Sequence, residues 1–212
     1  LGKYSKMMEY VKLAESILTD FDEPFLMGKL EFMKSHNCLN KGNVESAFRH
    51  IDSCIDLFDV AEQRPFLIEA YIHKIEILIE KNEFSLAKRV ISKIELLNKK
   101  LQDAPERPLL EIFKLLHSPD KIERDNIRQI QKQISTTIPA EQILCYWHLT
   151  NIFKKIGELK AAENCLTKAL ELINQQALIN SKVEDQNSYR NQVNLHKNIK
   201  EKLRIFQGRA LA

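Results

Sequence analysis

Two residue pairs in this sequence have the types and spacing of metal ligands. Cys145 and His148 stand three residues apart, and His50 and Cys54 stand four apart, so on a helix each pair shares one side. Either pair could bind a soft metal if a second pair faced it. The alternative is a buried cysteine beside a partly exposed histidine. The apolar neighbours of both cysteines favour that alternative. We therefore expect no metal site and no cofactor.

Catalytic signatures of other kinds are also missing from the sequence. It contains no GxGxxG or GxxxxGK[ST] phosphate loop, no HExxH helix and no GxSxG nucleophile turn, and its six histidines are scattered. A single Cys–His pair without a third group is weak support for nucleophilic catalysis. The sequence thus predicts a protein that is not an enzyme.

Composition limits the kinds of partner. The 212 residues carry a net charge of +3, and the acidic and basic residues are interspersed. The sequence therefore lacks the concentrated basic face that would predict nucleic-acid binding. The sequence contains no run of 18 apolar residues, so it predicts no membrane span. The four cysteines form no CxxC pair, and reduced thiols favour a cytoplasmic location, although a nuclear one remains open. Because the chain begins at Leu1, we expect it to be a piece of a longer protein.

A repeated helix–turn–helix pattern is the strongest feature of the sequence. One unit runs from Tyr146 to Leu172, with a turn at Gly157-Glu158 between two runs of helical apolar spacing. The same turn and spacing recur at Asn82-Glu83, at Gly42-Asn43 and, in a half-unit, at Gly2-Lys3. Small or apolar residues fall at equivalent places in the second helices: Met7, Ala47, Ala87 and Ala162. We expect Ala47 and Ala162 to lie at tight helix–helix contacts.

Prolines support this register independently. Pro24, Pro65, Pro108 and Pro139 each stand at the predicted start of a first helix, where a missing N–H costs nothing. The interval between Ala87 and Ala162 leaves room for one degenerate unit, at about residues 108–135.

The units resemble the tetratricopeptide repeat (TPR) family, in which a first helix (A) and a second helix (B) pack antiparallel. Two departures are Thr150, where the family often has glycine, and a spacing near 40 residues instead of 34. The resemblance implies an all-α fold, an α-α superhelix of about nine or ten helices. The expected parts are a half-repeat at 1–20, repeats at about 24–60, 65–101, 108–135 and 139–175, and one capping helix at about 186–206 followed by a loose tail.

In TPR stacks the A helices line a concave groove, so the resemblance also implies where a partner binds. The inward positions of the A helices here are Phe32, His36, Ile72, Glu76, Ile79, Trp147, Asn151, Lys154 and Lys155, with Lys29 and Leu39 beside them. Trp147 is either an apolar anchor for a partner or a filler between units. Asn151 suits a chaperone-tail clamp, but Trp147 and Ile72 replace its expected polar residues, which disfavours that function.

The expected function is a non-catalytic protein–protein interaction module or scaffold that binds a protein or peptide segment in this groove. A regulatory or sensory arm of a larger signalling enzyme or transcription activator is the alternative. The basic segment 182–209 is either a solvated cap or a docking surface for an acidic segment. RNA binding by the helical units is disfavoured because repeated pairs of base-reading residues are absent. The sequence leaves the oligomeric state open.

Overall fold

The computed structural model describes residues 4–18, 21, 23–99, 107–118, 122–179 and 182–209. These residues form eleven α-helices and no strand, so the fold is all-α, and none of these helices is both long and apolar enough to cross a membrane. The helices are α1 (Tyr4–Leu18), α2 (Pro24–Asn40), α3 (Val44–Val60), α4 (Arg64–Glu80), α5 (Phe84–Asn98), α6 (Pro108–His117), α7 (Arg124–Ile134), α8 (Pro139–Lys155), α9 (Leu159–Leu178), α10 (Val183–Gln192) and α11 (Asn194–Arg209). The expected Gly2-Lys3 turn, the Met7 side chain and the end of the chain from residue 210 lie outside the described part.

Prolines stand in the first turn of α2, α4, α6 and α8, as predicted. α2, α6 and α8 start at a proline, and α4 starts one residue before Pro65. The first turn accepts proline because its backbone N–H groups have no partner within the helix.

The helix–turn–helix connections share one backbone geometry. Gly42, Glu62, Asn82 and Gly157 all have positive φ, and the next residue in each case bonds back to a carbonyl five residues earlier, as in Asn43 N–H to Cys38 O at 2.9 Å. This pattern is the Schellman motif, which ends a helix and satisfies its last carbonyls. The chain therefore reverses over three residues after α2, α3, α4 and α8.

The described residues up to 99 form the first of two compact units, in which each helix from α1 to α5 contacts the next along the chain. The centre of this unit is α3, whose Ala47 and Phe58 are almost wholly buried. Ser35 of α2 donates a 2.8 Å hydrogen bond to the carbonyl of Ala47. A Cβ on Gly28 would lie only 2.7 Å from the Phe58 ring, so α2 and α3 approach very closely there.

The described residues from 107 to 209 form the second unit, in which α8 contacts α6, α7 and α9. Ala162 is fully buried in α9, as expected. In α7 the fourth residue of the helix is the larger Ile127, within the segment where the sequence predicted a departure from the pattern.

The prediction of a single capping helix at 186–206 is wrong. The chain instead forms α10 and α11, and both contact α9. Val193 between them has an extended ψ of 121°, and the His196 ring bonds across the break to the Tyr189 carbonyl at 2.7 Å. Two shorter helices bury Tyr189, Ile199 and Leu203 against α9. The helix also continues past Phe206 to Arg209, where a loose tail was expected.

Candidate functional site

The first unit brings one set of predicted binding residues together on α2 and α4. The rings of Phe32 and His36 are 4.6 Å apart, and the Phe32 ring lies 5.6 Å from that of His73. The two imidazoles stack at 3.6 Å with an angle of 20° between their planes. We call Phe32, His36, Ile72, Glu76 and Ile79, together with His73, the α2–α4 face.

Hydrogen bonding and burial fix the polar groups of this face. Nδ1 of His73 lies 3.1 Å from Oε2 of Glu76, one helical turn further along α4. Burial lowers the pKa of His73 to about 3, and burial together with the neighbouring His73 lowers the pKa of His36 to about 3. Both imidazoles are therefore neutral at pH 7 and stack as flat, uncharged rings.

Solvent exposure differs among the residues of this face. Phe32, His36, Glu76 and Ile79 are half-buried, whereas Ile72 is buried. His73 was not among the residues predicted from the sequence, although its spacing of three residues from Glu76 was a usable signal. What the spacing could not show is the stacking of His73 on His36 from another helix.

The second unit holds the other predicted residues on α8, and we call Trp147, Asn151, Lys154 and Lys155 the α8 face. Trp147 and Asn151 are half-buried, while Lys154 and Lys155 are exposed. Nζ of Lys202 in α11 lies 4.2 Å from the Trp147 ring centre and donates a 2.7 Å hydrogen bond to Oδ1 of Asn151. Trp147 also packs against the buried core of α8, α9 and α11.

The ammonium group of Lys155 has a partner within the same unit. It donates a 3.0 Å hydrogen bond to the carbonyl of Leu116, near the end of α6. Lys155, which was predicted to contact a partner, therefore also links α8 to α6.

Both pairs with metal-ligand spacing have other contacts. His50 Nδ1 lies 2.7 Å from Glu31, and the ring of the buried His148 meets the Phe113 ring edge-on at 5.0 Å. In the part of the chain that the structure describes, no group of three or more His, Cys, Asp or Glu residues is placed to hold a metal ion.

The thiols are poor nucleophiles because burial keeps them protonated. Burial raises the pKa of Cys54 and of Cys165 to about 12, and it raises the pKa of Cys145 further above the usual range. All four cysteines are free.

Comparison with family models, with curated proteins and with solved structures found no match to this chain. The assignment of function therefore depends on the side-chain geometry of the α2–α4 face and the α8 face.

Proposed function

We propose that this chain is a non-catalytic protein–protein interaction module, a TPR-like scaffold that binds a segment of a partner protein on its A helices. The observation that carries the proposal is the α2–α4 face. There Phe32, His36 and His73 hold one another by ring contacts, and Glu76 and Ile79 lie on the same side of α4.

Such a face suits binding because its shape is set before a partner arrives. Ring stacking between helices restricts the side chains of Phe32 and His36, so little rotamer entropy remains to be lost on association. The half-buried rings and Ile79 offer apolar area at the centre, and the Glu76 carboxylate offers a hydrogen-bond acceptor at the side. We expect an apolar anchor on the partner, beside a lysine or arginine.

The same geometry is poorly suited to proton transfer. A general base works best when its pKa lies near the operating pH, and the pKa values of His36 and His73 are about 3. Their role as rings in a binding surface is consistent with that chemistry.

The TPR-like part of the proposal rests on the recurring units. α2–α3, α4–α5 and α8–α9 each join two helices through the same left-handed turn, and each second helix has a buried alanine at its fourth position: Ala47, Ala87 or Ala162. Stacked units of this kind form a superhelix in the TPR family, which we propose here. The free thiols fit a reducing compartment such as the cytoplasm.

A photo-crosslinking residue at position 79 tests the proposal. The crosslinked partner is identified by mass spectrometry, and its affinity is then measured with the purified chain and with Ile79→Lys. We expect at least a tenfold loss, because the charge enters the apolar centre of the α2–α4 face.

Leu96→Lys is the matched control, since Leu96 is an exposed leucine on α5. It should change the affinity less than about twofold, as surface substitutions away from an interface do. Equal affinity of Ile79→Lys and Leu96→Lys, with both proteins folded by circular dichroism, would overturn the assignment of this face.

A further inference from the structure

The basic residues of α11 lie on two different sides of that helix. α11 carries five basic residues and a single acidic one, Glu201. Lys202 reaches the α8 face. Lys197, Lys200 and Arg204 follow one another at intervals of three and four residues, which places them along a different side. The fold thereby separates a line of three cations from the lysine that covers the tryptophan.

An arginine of α10 joins this line of cations. Nζ of Lys200 donates a 2.8 Å hydrogen bond to Oδ1 of Asn191, the residue next to Arg190. Nε of Arg190 donates a 3.2 Å hydrogen bond to Oδ1 of Asn174 in α9. Both cations are half-buried, and each is held by a neutral amide oxygen. We call the four residues the basic strip: Arg190, Lys197, Lys200 and Arg204.

The charges of the basic strip are not neutralised by the described part of the chain, where none of the four residues forms an ion pair with a carboxylate. Burial and the nearby charge of Arg190 lower the pKa of Lys200. Two like charges are thus held near each other by neutral groups. Such an arrangement is unfavourable in the free protein, and an anion between the two cations relieves it.

Half-buried lysines of the first unit have different surroundings. Lys34 pairs with Glu31 at 2.6 Å, and Lys81 pairs with Glu83 at 3.1 Å. Both of these lysines are neutralised by carboxylates of their own unit, whereas Lys200 meets a second cation. The contrast within one chain indicates that the anion for the basic strip comes from another molecule.

We propose that the basic strip binds an acidic segment of a partner protein, with one carboxylate between Arg190 and Lys200 and others beside Lys197 and Arg204. The hydrogen bond to Asn174 engages only the Nε of Arg190. Its two Nη groups remain as a fork that fits both oxygens of a carboxylate. The strip lies on the second unit and is a different surface from the α2–α4 face.

The length of the strip defines the spacing of acidic residues in the partner. Lys197 and Arg204 are seven residues apart, which is about 10 Å along a helix. In an extended segment, alternate side chains lie on the same side, about 7 Å apart. Two or three acidic residues at alternate positions therefore cover the strip.

A nucleic acid fits the strip less well than an acidic segment. Proteins that bind nucleic acid tightly through its backbone contact about 6–10 phosphates, more than four cations can reach. Single strands are also bound by stacking bases on aromatic side chains. The aromatic rings of α10 and α11, Tyr189 and Phe206, are buried and half-buried.

A fluorescently labelled heptapeptide in which glutamate alternates with serine is the probe. Anisotropy at about 20 mM salt, where exposed charges are little screened, measures its binding to the 212-residue chain. We expect saturable binding that weakens at least about fivefold when Lys197→Gln and Arg204→Gln are combined, because two exposed ion pairs are lost. Both residues are exposed, so the fold is retained, which circular dichroism verifies. Lys200→Gln alone should weaken binding about threefold.

The matched control combines Lys88→Gln and Arg89→Gln, which remove the same two kinds of charge from an exposed side of α5. It should change the affinity less than about twofold. A heptapeptide with glutamine in place of glutamate should not bind. Absence of saturable binding, or equal losses for the two double variants, overturns the proposal. Tighter binding of a labelled oligothymidylate through Lys197 and Arg204 overturns it as well, because the partner would then be a nucleic acid.

Discussion

Lys202 holds its ammonium group 4.2 Å from the centre of the Trp147 ring. The same group donates a 2.7 Å hydrogen bond to Asn151, so one side chain of α11 contacts two residues of the α8 face. Ile199 and Leu203, on either side of Lys202, are buried and anchor α11. On the second unit, a partner that reaches Trp147 therefore also meets Lys202.

Replacing Lys202 with methionine should destabilise the protein by about 1–2 kcal/mol. Methionine keeps an apolar stem, while the cation–π contact and the hydrogen bond to Asn151 are both lost. Trp147 is the only tryptophan, so the tryptophan fluorescence of the protein reports on the surroundings of this one ring. We expect a lower unfolding free energy and a shifted emission maximum. Lys197→Met, on an exposed side of α11, should change neither quantity.

Gly28→Ala should destabilise the first unit by about 1–3 kcal/mol, the usual range for overpacking. The new Cβ would lie 2.7 Å from the Phe58 ring, and that ring is buried and has little room to move. Gly208→Ala is the control, because nothing lies within 4 Å of its added Cβ and alanine favours a helix. Chemical denaturation should show the two substitutions acting in opposite directions.

Ala162→Leu should cost about 1–3 kcal/mol, and Ala47→Leu the same, since neither alanine has any exposed surface. Leucine at the exposed Ala140 of α8 should leave the melting temperature nearly unchanged. If the melting curve of Ala162→Leu coincides with that of the unaltered chain, the assigned repeat register is wrong.

Glu62→Gly should stabilise the protein by about 1 kcal/mol, because Glu62 has a φ of 54° where a Cβ is strained. Gly157 occupies the matching turn with a φ of 78°, so Gly157→Ala should destabilise by a similar amount. Denaturant midpoints measured for both variants test the expected gain in stability for Glu62→Gly and the expected loss for Gly157→Ala. A loss of stability in Glu62→Gly would contradict the strain argument.

The stability of the protein should fall as the pH falls from about 6.5 towards 3. Burial lowers the pKa of His73 to about 3, whereas an unfolded histidine titrates near 6.5. Between these values the unfolded chain binds a proton that the folded one does not, so acid favours unfolding by about 1.4 kcal/mol per pH unit for one group. His73→Gln should reduce the slope of unfolding free energy against pH by about that amount. An unchanged slope would show that His73 is protonated in the folded protein.

Most of the helix boundaries follow from the sequence alone. Pro24, Pro108 and Pro139 begin their helices where predicted, and Gly42 and Gly157 stand in the turns that end α2 and α8. These signals are local, since a helix is built from bonds between residues four apart and ends where the backbone can turn left-handed. The buried alanines were predictable for a related reason, because Ala47, Ala87 and Ala162 each stand at the fourth residue of a helix that follows such a turn.

Tertiary packing decided the rest. The helical geometry breaks at Val193, whose ψ is 121°, and the two helices on either side of it bury Tyr189, Ile199 and Leu203 against α9. Asn151 and Lys202 are 51 residues apart in the chain, and no local pattern pairs them. The sequence by itself determined which segments are helical and which sides are apolar. Only the folded chain decided that His73 stacks on His36 and that Lys202 covers Trp147, because such contacts depend on how separate helices pack.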